Sequence, residues 1–326
     1  MLRLLLAGSF LGSAEALFSG DVPVVSIKGI QGQVDMPLLG LGTWLYNSSV
    51  AEGAVTTAFG MGYRHVDTAA AYKNQDGVGR ALSKTNLPRD EFFVTSKISG
   101  GLSASATEAT ADQCLEDLGL PYVDLMLIHF PSAWDGNFSG KKYRQEEWKA
   151  LEAWAKSGKA RAIGISHYCS RQLDDILEIA TVPVAVNQVQ YHVGMAQAGR
   201  LSTDDRDYMQ SKGVLYQPFS PLCGPCDPPA NKELITGKLV TDIGSVYNKT
   251  GAQVSLRWLV QQGLPAIPKS STAVHLKENF EIFDFKLSED EMSRLSAATS
   301  PAVGGGPNPT DSGDCGVTEE EVTLFT

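Results

Sequence analysis

Short apolar runs and longer amphipathic segments take turns along most of this chain. Val24 to Ile27 and Val34 to Pro37, separated by a glycine-bearing turn, predict a small hairpin. After it come eight apolar runs: Leu38–Leu41, Tyr63–Val66, Phe92–Thr95, Val123–Ile128, Ala160–Ile165, Val184–Val189, Val214–Pro218 and Leu264–Ile267. Between them, apolar residues recur every three or four positions in Val50–Met61, Ala104–Leu118, Glu146–Lys156, Ser170–Ala180, Arg206–Lys212 and Ala252–Gln261, the spacing of helices with one buried face. Strands that alternate with helices build a parallel sheet, and eight of them close a barrel. A doubly wound sheet would carry a glycine-rich dinucleotide loop after an early strand, whereas Gly40-Leu41-Gly42 runs into Thr43-Trp44 with no third glycine in register. The expected fold is therefore α/β, a (β/α)8 TIM barrel over residues 21–300 with an N-terminal β-hairpin and large loops on its C-terminal face.

The two ends read differently. In residues 1–20, Arg3 precedes an apolar run from Leu4 to Leu11, and Ala14-x-Ala16 fits a signal-peptidase site. This predicts a cleaved targeting segment. Its destination is open: three sequons, at Asn47, Asn137 and Asn248, suit the secretory pathway, Phe18 after the cleavage point suits a two-part plastid leader, and without a leader the chain would be cytoplasmic. Residues 301–326 are rich in Gly, Pro and Ser and end acidic, the composition of a flexible tail.

Charge narrows the partners. With 27 Lys and Arg against 37 Asp and Glu the net charge is −10, and no basic cluster offers a nucleic-acid surface. No apolar run approaches the roughly 20 residues that span a bilayer. Five cysteines in 326 residues do not make a disulfide scaffold.

Active sites of such barrels form where the strands end. The second run ends in Asp67, with Tyr72 five residues on; the third leads to Lys97 and the fourth to His129. A carboxylate, a phenol, an ammonium and an imidazole thus converge on one mouth. The ammonium should lower the phenol pKa from its usual value of about 10, the carboxylate should hold the ammonium charged, and the imidazole can orient a carbonyl. Each residue alone has a structural explanation, such as Asp67 capping the next helix; the four together, on successive strands, read as a proton-delivery site.

The segment Gly62-Tyr63-Arg64-His65-Val66-Asp67-Thr68-Ala69 with Tyr72 and Asn74, and the later Ile267-Pro268-Lys269-Ser270, resemble the signatures of the aldo-keto reductases. Ser96-Lys97, Leu127-Ile128-His129 and Asn187-Gln188 fall in register between them, so the resemblance covers about residues 24 to 300. It implies NAD(P)H-dependent reduction of an aldehyde or ketone by a monomer that needs no metal, with Tyr72 as general acid, Lys97 and Asp67 assisting, and His129 orienting the carbonyl. It implies further that Ser166, His167 and Gln188 hold the nicotinamide carboxamide, that the ring stacks on Phe219, and that Ser220 and Leu222 lie along the pyrophosphate. Lys269 and Ser270 would meet a 2′-phosphate, Glu278 and Asn279 the adenine, and Trp44 and Phe130 would line the substrate pocket.

The chain departs from that pattern in places. Gln75 stands where a glutamate is usual, His167 replaces an asparagine and Phe219 a tyrosine. His275 replaces the arginine six residues after the lysine, which narrows the expected preference for NADPH and leaves NADH use open. Cys223-Gly224-Pro225-Cys226, in the loop after the seventh strand, has the spacing of a redox pair, though two unpaired loop cysteines explain it as well. Two readings of other classes stay open: a catalytically quiet cofactor-binding regulator on the same barrel, and a thiol-redox protein built on that pair.

Overall fold

A computed structural model describes residues 22–133, 138–195, 206–222 and 232–300. The predicted leader, the acidic tail with Cys315, Asn137 and the Cys223–Cys226 pair lie outside these described residues.

The hairpin is present as β1 (Val24–Gly29) and β2 (Gly32–Pro37), paired antiparallel. Seven parallel strands follow in one sheet whose spatial order is the order of the chain: β3 (Leu41–Gly42), β4 (His65–Asp67), β5 (Phe93–Ile98), β6 (Val123–Ile128), β7 (Ala160–Ser166), β8 (Val184–Gln190) and β9 (Leu215–Phe219). Eleven helices are present among the described residues: α1 (Ser48–Gly60), α2 (Gln75–Ser83), α3 (Ala104–Leu118), α4 (Lys141–Trp154), α5 (Ser170–Leu177), α6 (Arg206–Ser211), α7 (Glu233–Thr236), α8 (Lys238–Tyr247), α9 (Gly251–Val260), α10 (Ala273–Phe280) and α11 (Glu289–Ser296).

One expected strand is reduced. Leu264–Ile267 makes only an isolated parallel bridge, between Ala266 and Leu39. Ala266 N donates to Leu38 O and Gly40 N donates to Ala266 O, both at 2.9 Å. Pro265 and Pro268 flank the bridge and have no N–H to lengthen a ladder, so the eighth position of the (β/α)8 barrel is joined to the first by these two bonds and by Gly42 N donating to Pro268 O at 3.1 Å.

Two apolar layers set the site's height. Outside the sheet, strand residues such as Val94, Met126 and Ile163 pack against helix residues such as Leu118, Trp148 and Leu173. Inside, Ile27, Val34 and Met36 of the hairpin pack against Phe93, Leu125, Leu127, Ala162 and Val186. The hairpin thereby seals the N-terminal end, and polar side chains on the inner face can be solvated only toward the opposite mouth.

Candidate active site

Strand register brings the four predicted residues together. Asp67 is the last residue of β4 and pairs with Thr95 of β5, so Lys97, two residues further along β5, points to the same inner face above it. Tyr72 ends a single 3-10 turn, Ala70–Tyr72, which stops at Lys73 in left-handed conformation with φ 55°. Asn74 anchors that turn. Its buried Nδ2 donates to Thr43 O at 2.8 Å and Tyr46 O at 2.9 Å, while its Oδ1 accepts from Thr68 Oγ1 at 3.1 Å. The Tyr72 turn and the loop bearing Trp44 are thus fixed to one amide. His129 extends β6 by one bond, its N–H donating to Ile98 O at 2.9 Å.

Lys97 is 1% exposed and Asp67 2%, and Lys97 Nζ donates directly to Asp67 Oδ1. The ammonium also donates to Thr68 O at 3.1 Å and to the Tyr72 hydroxyl at 3.4 Å. Burial pulls the Lys97 pKa down, but Asp67 and Tyr72 outweigh it and the net direction is upward, so the ammonium persists. The phenol corrects the sequence expectation: its pKa is raised, because burial of the half-buried ring outweighs the lowering by Lys97. His129 sits edge-on to Tyr72, with ring centroids 5.7 Å apart. Burial, and then the charge of Lys97, hold its pKa well below 6.5, so the imidazole is neutral.

The departures form a wall of rings beside this cluster. Phe130 stacks on His129 at 4.5 Å and on His167 at 4.4 Å, and His167 meets Phe219 at 4.8 Å. His167 has φ 63°, a conformation in which the asparagine it replaces is favoured. Its Nδ1 donates to the His129 carbonyl at 3.0 Å and lies as close to Ser166 Oγ. Ser166 Oγ donates to Gln188 O at 2.8 Å, and Gln188 Nε2 donates to Asp67 Oδ2 at 2.8 Å. The two expected carboxamide contacts thus adjoin the Lys97–Asp67 pair directly.

The remaining predicted residues spread from the mouth. Ser220 is left-handed at φ 52°, just after Phe219, and Leu222 packs on the outer core. Trp44 is 43% exposed at the rim, and Lys269 Nζ lies 5.9 Å from its ring and 5.3 Å from that of Tyr46. Ser270 Oγ accepts from Thr272 N at 3.3 Å. His275 is exposed on α10, Glu278 is half-buried and Asn279 is buried.

Sequence reasoning missed three groups here. Gln217 is fully buried on β9 and touches Gln188; the only signal was a polar residue inside an apolar run. Glu147 of α4 is fully buried and accepts from Gly101 N at 3.0 Å, under the loop that follows Lys97. Cys169, three residues after Ser166, is disulfide-bonded, whereas Cys114 is free. No helix of the described residues is long and apolar enough to cross a membrane.

The comparisons agree with this geometry. A sequence profile of the aldo/keto reductase family matches residues 38–300. The chain is 37% identical over 280 residues to glyoxal reductase of Bacillus subtilis, covering 85% of this chain and 94% of that one. It is 39% identical over 284 residues to aldo-keto reductase family 1 member A1-A of Danio rerio, covering 80% and 86%. Among solved structures, an aldo-keto reductase from a Medee basin deep-sea metagenome library superposes with TM-score 0.75 at 33% identity, over 84% of this chain and 95% of that one. A buried Lys–Asp pair under a tyrosine at the mouth of a parallel barrel and a profile match across nearly the whole described chain lead to one conclusion: this protein belongs to the aldo/keto reductase family.

Proposed function

We propose that this oxidoreductase reduces an aldehyde or ketone to an alcohol, acting as a monomer with NADPH in preference to NADH, and that Tyr72 delivers the proton. The observation that carries the reading is the Lys97 ammonium, ion-paired to Asp67 and 3.4 Å from the Tyr72 hydroxyl.

The roles follow from charge. Tyr72 keeps its proton at neutral pH because its pKa is raised. As that proton passes to the carbonyl oxygen, negative charge develops on the phenol oxygen beside a fixed ammonium, where it is stabilised. Asp67 keeps the ammonium charged and in place. Neutral His129 can hydrogen-bond the carbonyl oxygen without adding a second positive charge to the site.

The residues at the mouth fit a nicotinamide dinucleotide. Gln188 turns its amide oxygen away from Asp67, as an acceptor for an amide N–H. Phe219 offers a ring face, and Ser166 and His167 flank it. Reduced nicotinamide, when bound, supplies the hydride that the carbonyl carbon takes. Ser220 and Leu222 would follow the pyrophosphate, Lys269 and Ser270 the 2′-phosphate, and Glu278 and Asn279 the adenine. His275 gives a weaker phosphate contact than arginine, so the NADPH preference is a narrow one. Trp44 and Phe130 make the substrate wall aromatic, which suits a small carbonyl compound with an apolar body.

The test is NADPH oxidation by the purified chain with a small aromatic aldehyde, wild type beside Tyr72→Phe. Turnover lost in the variant while NADPH still quenches protein fluorescence supports the reading. Turnover retained without the phenol overturns it.

A further inference from the structure

We propose that Gln217 is a positioning residue for proton delivery, acting through the Gln188 amide on Asp67; this rests on the reading of Tyr72 as the donor. The ladder between β8 and β9 pairs Gln188 with Gln217, so both amides stand on the same face of the sheet. Gln188 Nε2 donates twice, to Asp67 Oδ2 at 2.8 Å and to Gln217 Oε1 at 3.1 Å. Asp67 gives its other oxygen to Lys97, and Lys97 reaches Tyr72. One buried hydrogen-bonded path therefore runs from β9 across the barrel to the acid.

The orientation of each amide in that path is forced. A carboxylate only accepts, so Gln188 must present its nitrogen to Asp67. Its second N–H then needs an acceptor, and Gln217 supplies one. With both donors used, the Gln188 oxygen is turned away from Asp67 and Gln217, as an acceptor for an amide N–H.

Gln217 bears a cost for this. Its own Nε2 is buried and has no partner among the described residues, and a buried donor left unsatisfied weakens the fold. Its one side-chain hydrogen bond there is the bond to Gln188, so packing does not explain an amide at this position. A leucine would fill the same space with no orphan donor.

Without Gln217, Gln188 is held at one point and its amide can turn. The Asp67 carboxylate then has a looser donor on Oδ2, and draws more strongly on the protons of Lys97 and, through it, Tyr72. Both groups release those protons at higher pH.

The experiment measures kcat, carbonyl KM, NADPH affinity by fluorescence quenching, and the pH profile of kcat. The proteins are wild type, Tyr72→Phe, Gln217→Leu, Asp67→Asn and the double variant Gln217→Leu/Asp67→Asn. Gln217→Leu is expected to lower kcat about tenfold and move its basic limb upward in pH, with carbonyl KM and NADPH affinity within about threefold of wild type. In the Asp67→Asn background the same substitution should change nothing further, because the group it acts through is gone. Equal losses in both backgrounds, or a wild-type pH profile in Gln217→Leu, overturn the relay. Should Gln217→Leu fail to fold, Gln217→Met, unbranched, of nearly the same length and with no amide acceptor, must move the basic limb in the wild-type background only. Tyr72→Phe separates the failures: an active Tyr72→Phe sinks the donor assignment and the relay with it. An inactive Tyr72→Phe beside an unaltered Gln217→Leu sinks the relay alone.

Discussion

The Lys97 ammonium touches two ionisable partners of opposite character, a carboxylate on Asp67 that it neutralises and a phenol on Tyr72 that it leaves protonated. Stability and activity make different use of that geometry, which allows them to be separated. Lys97→Met strands a buried carboxylate and should cost about 3–5 kcal/mol. It should also lower kcat at least about 100-fold, because the phenolate loses its counter-charge. Lys97→Met/Asp67→Leu removes both charges, so thermal stability should largely return while activity does not. Thermal unfolding beside turnover checks this, and activity restored in the double variant would contradict the role given to Lys97.

Four imidazoles whose pKa values are depressed by burial make the fold sensitive to acid. His65 lies in the barrel interior, bonded to Thr95 Oγ1 at 3.1 Å, and burial brings its pKa down to about 4. Burial brings His167 to about 4 as well and drives His129 and His192 in the same direction. A histidine whose pKa is depressed in the folded state stabilises the protein fully above the unfolded value near 6.5, and that contribution is lost as pH falls toward 4. For His65 alone the loss at pH 5 is about 2 kcal/mol. Urea unfolding at pH 7.5 and pH 5 should show the drop, and His65→Leu should shrink it; an unchanged midpoint would contradict the burial argument.

Much of this was legible in the chain before any coordinates. The sequence marks Val123–Ile128 and Ala104–Leu118 with their observed ends, because an unbroken apolar run and a three-to-four spacing each admit one element there. Asp67, Lys97 and His129 could be placed because polar residues that end apolar runs stand at the mouth of a barrel. What stayed hidden depends on cross-strand register or on depth. Gln217 acquires meaning only when β8 lies beside it, and Leu264–Ile267 looked like a strand until its prolines limited it to one bridge. The direction of the Tyr72 shift could not be read either: Lys97 and burial oppose each other, and only the depth of the ring decides between them. The pairing of Cys169 has no local signature at all.

Glu147 opposes the imidazoles. It is fully buried beneath Gly101, and burial, against the pull of two backbone N–H groups, raises its pKa to about 8. A carboxyl raised in this way is preferentially protonated in the folded state. Its contribution is therefore complete below the unfolded value near 4.5 and disappears as pH rises through 8. Glu147→Gln keeps the acceptor for Gly101 and cannot ionise. The wild type should lose a few kcal/mol relative to this variant between pH 5 and pH 8.5, measured by urea unfolding. Parallel pH dependences for the two proteins would show that the fold does not raise the Glu147 pKa.

The barrel seam links the fold to the residues proposed to hold the cofactor. Gly42 N donates to Pro268 O at 3.1 Å, and a Cβ on Gly42 would stand 2.8 Å from Ile267 O. Gly42→Ala must push β3 away from the segment that leads directly into Lys269 and Ser270. Stability should fall by about 1–3 kcal/mol, and NADPH affinity should fall with it. Ala58, on a helix away from the mouth, supplies the control: Ala58→Gly should reduce stability comparably with NADPH affinity intact. Equal affinities for Gly42→Ala and wild type would remove the seam from the cofactor site.

The exposed His275 offers a gain of function. It lies on α10, six residues after Lys269, in an α-helix whose neighbouring positions Val274 and Lys277 are exposed, so an arginine can be accommodated without repacking. Arginine brings a permanent charge and a planar fork of donors that an imidazole lacks. One added charged hydrogen bond, worth about 1.5–3 kcal/mol when well formed, corresponds to tenfold or more in affinity. His275→Arg should therefore tighten NADPH binding by at least several-fold and leave NADH binding nearly unchanged. Titration of both cofactors by fluorescence quenching reads the difference directly. Equal tightening of NADPH and NADH would place the new guanidinium on a part common to both, and would overturn the assignment of Lys269, Ser270 and position 275 to the 2′-phosphate.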